Sequence, residues 1–136
     1  MQKKLVFQSN WYTSGFDSIE KNRKEIYELE RLNYYEKWTG KIGLMYPSDY
    51  LYANSECYFY EKSCEDNNWL FNQDNQWVIS PYLSHVGFNW AINSSGELNS
   101  NYGVNNEFGV RPTIYLNSNV YVTGDGTNTS PYQFNL

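Results

Sequence analysis

The sequence predicts an α+β domain, and three observations carry that expectation. One amphipathic stretch with helical spacing lies near the start, short apolar alternations recur through the rest, and turn residues separate them. The length of 136 residues suits one domain over 1–136, large enough to bury a core without a structural metal. Aromatic residues make up 19% of the chain, which excludes a disordered polymer. Alanine occurs only at Ala53 and Ala91, which speaks against a helical bundle.

The elements follow in order. Asp17 is placed as an N-cap with Glu20 as its capping-box partner, and Ile19, Ile26, Leu29 and Leu32 mark one long helix ending near Tyr35. Lys41 to Tyr46 is short and apolar enough for a strand. Pro47 then opens a short helix over Tyr50 to Ala53. Asn54 to Gln76 reads as loop. Trp77-Val78-Ile79 is a strand stopped by Ser80-Pro81. His85 to Ile92 alternates, with Val86, Phe88, Trp90 and Ile92 facing inward. Asn93 to Gly96 is a turn, and Glu97 to Ser100 returns as a hairpin partner. Val110 to Leu116 alternates again, which puts Val110, Ile114 and Leu116 in the core with Trp38 and Trp77 mostly buried. Val120 to Val122 is a last short strand before the Gly124-Asp125-Gly126 turn.

Charge and cysteine usage narrow the function classes. Residues 1–41 hold eight bases and six acids, a balance of +2; the remainder holds two against nine, a balance of −7. A phosphate-binding face needs clustered bases, so nucleic acid and anionic membrane surfaces are excluded as partners. No apolar run is long enough to span a bilayer, so no membrane insertion is expected. The basic start is not followed by an apolar segment of signal-peptide type. Cys57 and Cys64 match neither a CxxC redox pair nor a zinc-ligand set. A bridge between them would contribute about 2.5 kcal/mol by closing its loop. The alternative is two unpaired thiols; the polar residues Tyr58 to Ser63 favour the bridge.

Several stretches then carry a resemblance. Trp38-Thr39-Gly40-Lys41-Ile42-Gly43-Leu44-Met45-Tyr46-Pro47-Ser48-Asp49-Tyr50, Trp69-Leu70, Trp77 to Pro81 and Gly109-Val110-Arg111-Pro112-Thr113-Ile114-Tyr115-Leu116 occur in that order. Together they resemble a family of extracytoplasmic bacterial domains in surface-exposed and pilin-like proteins. That family is similar to a branch of the C-type-lectin fold shared with formylglycine-generating enzymes and the variable proteins of diversity-generating retroelements. The resemblance implies a small twisted antiparallel sheet with one long helix in the N-terminal half and long irregular loops. It also implies a domain excised from a larger surface protein, working outside the cell, on a cell surface or on a phage particle. The variable segment of the retroelement proteins matches Tyr82 to Phe108, rich in the Tyr, Ser, Gly and Asn that recognition loops use. By position the cysteines match no reactive pair of the formylglycine-generating kind and read as a structural bridge.

Catalytic readings find little support. Glu65-Asp66 and Glu56/Glu61 sit in polar sequence, and His85 is the one histidine, without a Gly-x-Ser-x-Gly elbow for Ser80 or Ser84. Asp125 and Asn128 supply too few oxygens for calcium. The expectation is a non-catalytic ligand-recognition domain with no cofactor and no metal. Its partner is a protein or glycan, and its contact surface is Tyr82, His85, Asn89, Asn93, Asn101, Tyr102 and Asn105. Arg111 is expected to be structural, its guanidinium joining two loops through backbone carbonyls or a carboxylate such as Asp49. The rival readings are a structural module of a pilus or stalk and an oxidase of the formylglycine-generating type.

Overall fold

The structure, a computed structural model, describes residues 6–17, 23–32, 36–54, 68–127 and 129–135. It is α+β, with two helices among the described residues and small, mostly antiparallel sheets. A ribbon of β1 (Ser9–Tyr12) and β2 (Lys37–Gly40) opens the fold, with Trp11 opposite Trp38. Helix α1 (Arg23–Leu32) lies between those strands in the chain. The expected helix start, with Asp17 as N-cap followed by Ile19 and Glu20, and its end near Tyr35 run into residues 18–22 and 33–35, which lie outside the described residues. Strand β3 (Ile42–Leu44) leads into α2 (Pro47–Tyr52), which begins at the proline itself, earlier than the sequence predicts. The Asp49 carboxylate accepts a hydrogen bond from the Tyr46 N–H at 3.0 Å and ties off the first turn of α2.

The main sheet has the order β6-β5-β4-β7, built from β4 (Gln76–Pro81), β5 (Phe88–Ile92), β6 (Leu98–Gly103) and β7 (Gly109–Val110). Strand β7 runs parallel to β4, and the other pairs are antiparallel. Asn93 organises the β5–β6 turn: its side-chain oxygen accepts from the N–H of Ser95 and of Glu97, and its amide donates to the Glu97 carboxylate. Gly96 takes a positive φ of 76° there, and its carbonyl accepts from the Tyr50 hydroxyl at 2.7 Å. Strand β8 (Pro112–Ile114) pairs with β3, and β9 (Tyr121–Thr123) pairs with β10 (Gln133–Asn135), a hairpin whose second strand the sequence does not announce. In its turn Asp125 accepts from the Thr127 N–H and hydroxyl, the behaviour of a turn carboxylate. Asn128 lies outside the described residues.

One face of the four-stranded sheet seals the core. Val78, Trp90, Ile92 and Leu98 project from it against Phe16, Ile26, Met45, Tyr50 and Leu51. The alternation of β5 therefore puts Trp90 and Ile92 inside as the sequence predicts, with Phe88 half-buried. Val86 departs from it and is fully exposed. The strand begins only at Phe88, because His85 to Gly87 form a turn closed by the Phe88 N–H on the His85 carbonyl at 3.2 Å.

Three further expectations are corrected. Strand β4 runs on through Ser80-Pro81 instead of stopping there. The stretch Val110 to Leu116 is not one strand. It breaks at Arg111, leaving Val110 62% and Ile114 39% exposed, with Leu116 half-buried. The phase is inverted because the buried position of β3 is Gly43, where a Cβ would fall inside the Trp11 indole. Ile42 and its partner Ile114 must then point outward. Trp38 is 46% exposed, because it stacks on the outside of Trp11 in the two-stranded ribbon, whereas Trp77 is mostly buried as expected. Accordingly Ile114→Ala should cost about 1 kcal/mol, well below the 2–5 kcal/mol of a fully buried isoleucine. Urea denaturation of the variant measures it.

Candidate functional site

The second face of the sheet is partly covered, with Ala91 and Ile79 buried on it. An apolar groove of about 550 Å³ runs along it, bordered by Trp38, Ile42, Trp77, Ile79, Val104 and Val110. At one end it meets a cleft of about 420 Å³ lined by Tyr82, His85, Val86, Phe88 and Asn89. Thr13, Ile79 and Asn89 border both, so groove and cleft form one continuous surface. The Val104 N–H donates to the Gly87 carbonyl at 2.9 Å and ties the β6–β7 loop to the β4–β5 loop over that surface. Val86, Val104 and Val110 are exposed on it.

Of the seven residues expected to form a contact patch, the structure brings three into the cleft. Tyr82 stacks on His85 with ring centroids 5.5 Å apart, and His85 also packs edge-on to Phe88. Asn89 sits beside them, but its amide is engaged by the carbonyls of Val78 and Trp90 at 2.8 and 3.0 Å, so it braces the sheet. Tyr102 lies opposite Asn89 across the β5–β6 pair and packs on Phe108, which in turn packs on Trp77. Asn105 is exposed in the loop that Val104 anchors. Asn101 is exposed on the irregular part of β6, where the register with β5 shifts. Asn93 is elsewhere: it lies about 13 Å further along β5 and is occupied in its turn. Tyr82, His85 and Asn89 therefore share one cleft, with Tyr102 across the strand pair from Asn89, while Asn93 is apart from them.

Tyr82 is more than a surface contact. It is half-buried, packs against the core and meets Trp90 edge-on at 5.8 Å. Tyr82→Ala should therefore cost about 1–2 kcal/mol, more than the roughly 0.5 kcal/mol of an ordinary surface substitution. A shift of the thermal midpoint checks this.

Sequence reasoning missed a second, inner site. Glu30 is 5% exposed, and its carboxylate accepts from the Ser48 N–H at 2.9 Å and from the Ser48 hydroxyl. Its backbone carbonyl accepts from the Ser14 hydroxyl at 2.7 Å. Burial pushes its pKa from 4.5 up to about 7; the Ser48 hydrogen bonds pull it down and the nearby Asp49 charge pushes it up. The signal for it was available, since Glu30 stands four residues after Ile26 on the apolar side of α1. A cavity of about 380 Å³ with Tyr12, Tyr27, Arg31, Tyr46 and Asp49 adjoins it. With both oxygens on Ser48, Glu30 serves as a clasp between α1 and α2.

Among the described residues Arg111 does not form an ion pair with Asp49. It is half-exposed at the break between β7 and β8, and among the described residues no carboxylate lies within ion-pair distance of it. Asp49 spends its hydrogen bond on the Tyr46 N–H. Cys57 and Cys64 lie outside the described residues, as do Glu56, Glu61, Glu65 and Asp66. Among the described residues no group of three or more His, Cys, Asp or Glu gathers as a metal site, and no helix is long and apolar enough to cross a membrane. No protein-family model, curated protein or solved structure matches the chain.

Proposed function

We propose that this chain is a non-catalytic recognition domain of the C-type-lectin-like kind, carried on a larger surface protein outside the cell. The observation that carries the reading is the continuous surface: an apolar groove along one sheet face that runs into an aromatic and amide cleft formed by the β4–β5 loop beside Thr13 and Glu36. Exposed apolar area rimmed by polar residues marks an interaction site in a folded domain. Tyr82, Tyr102, His85 and Asn105 supply stiff contact area and adaptable hydrogen bonds around it. The order of the sequence motifs and the few helices with small antiparallel sheets support the fold assignment. The partner is a protein or a glycan, and the groove's apolar lining favours a protein.

The test uses three exposed valines. Val86→Ser, Val104→Ser and Val110→Ser remove apolar surface while touching little of the core, so the combined variant should keep its melting temperature within a few degrees. Arrays of surface proteins and of glycans are probed with both forms. The expected result is a protein partner bound by the unmodified chain and at least tenfold more weakly by the variant. Equal binding by both forms would remove this surface from recognition, and self-association without any partner would favour the structural module.

A further inference from the structure

A separate cleft lies between α2 and β8. It encloses about 670 Å³, within the range of small-molecule sites, and Pro112 is its shared border with the sheet-face groove. Among the described residues its lining holds one cation, Arg111, and one anion, Asp49; the remainder is mainly apolar and aromatic, with Met45, Leu70, Trp69 and Tyr115 prominent. The two charges face one cavity without forming an ion pair. Among the described residues the Arg111 guanidinium engages no carboxylate, and its planar fork of donors suits a carboxylate ligand. Asp49 accepts from the Tyr46 N–H through Oδ2, which leaves Oδ1 for a second donor. Trp69 is 62% exposed and Tyr115 41%, an aromatic wall with no cover among the described residues.

We propose that this cleft binds a small zwitterion, a free α-amino acid with an aromatic or large apolar side chain. The carboxylate of such a molecule pairs with Arg111 in the two-point geometry guanidinium favours. Its ammonium donates to Asp49, and its side chain lies against Trp69, Leu70 and Met45. Charge complementarity selects this class: an anion alone would face Asp49, a cation alone would face Arg111, and an apolar molecule alone would leave both unmet. This site is independent of the sheet-face reading, and either can fail without the other.

Calorimetric titration with L-phenylalanine tests it, alongside N-acetyl-L-phenylalanine, which lacks the cation, and L-phenylalaninamide, which lacks the anion. Saturable binding of phenylalanine is expected, with each blocked analogue at least about tenfold weaker. Arg111→Gln should also lose at least about tenfold while keeping its melting temperature, because Arg111 holds no ion pair among the described residues. No saturation by phenylalanine up to about 10 mM would overturn the proposal. So would equal affinity for the analogues, or an Arg111→Gln variant that folds and binds as before.

Discussion

Replacing Trp90 by alanine should cost about 3–5 kcal/mol, a large share of the roughly 5–15 kcal/mol that holds a domain of this kind together. Trp90 is completely buried at the centre of the sheet's inner face. Its indole N–H donates to the Phe16 carbonyl at 3.1 Å, and its ring stacks on Phe16 with centroids 4.5 Å apart. Truncation opens a cavity, removes the stacking and leaves a buried carbonyl without its donor. Trp69→Ala is the control: that ring is mostly exposed, so its loss should stay within about 0.5 kcal/mol. Urea midpoints of the two variants should differ widely, and equal midpoints would mean that the sheet is packed the other way round.

The second large effect is a dependence of stability on pH, centred on Glu30. Its folded pKa of about 7 lies above the 4.5 of the free side chain. The folded state therefore holds its proton over a range in which the unfolded state has released it, and stability must fall as pH rises through that range. The clasp is at full strength below about 4.5 and weakens until about 7, a change of up to about 3 kcal/mol from this group. Asp49, whose pKa burial also raises, adds to the same trend. In Glu30→Gln the group no longer titrates, and the amide oxygen can still accept from the Ser48 N–H. Its melting temperature should change less between pH 5 and pH 8 than that of the unmodified chain. Parallel profiles would show that Glu30 is ionised in the folded state throughout.

Much of the architecture was legible in the chain because local patterns and tertiary packing agree there. Ile26 and Leu29 mark α1, the Trp90–Ile92 alternation places the core face, and Asn93 with Gly96 forms the turn between β5 and β6. The pattern misleads where the buried partner is small or distant. Gly43 gives no hydrophobic signal, yet its lack of a side chain makes room for Trp11 and turns Ile42 and Ile114 outward. Val86 fits the period of β5 but stands in a turn that Gly87 enters with a positive φ of 82°. Of the expected contact residues, Tyr82, His85 and Asn89 meet because the β4–β5 connection doubles back on itself, held by the Tyr82 N–H on the Phe88 carbonyl at 3.1 Å and the Phe88 N–H on the His85 carbonyl at 3.2 Å, backbone bonds that side-chain patterning does not reveal. Asn93 shares the composition of that surface but is consumed by its own turn. Glu30 and Arg111 show the same limit for charges: their partners, or the lack of one, depend on how separate elements meet.

One face of the main sheet is sealed and the other carries the groove; Trp90 reports on the first, Trp77 and Trp38 on the second, with Trp11 and Trp69 as buried and exposed references. Brief hydroxyl-radical oxidation followed by peptide mass spectrometry gives a rate for each. Trp11 and Trp90, both fully buried, should be protected; Trp77 should react at an intermediate rate; Trp38 and Trp69 should react fastest. Oxidation of Trp90 as fast as Trp69, or protection of Trp38 equal to that of Trp11 in the free chain, would contradict the assignment of the grooved face and the recognition surface built on it.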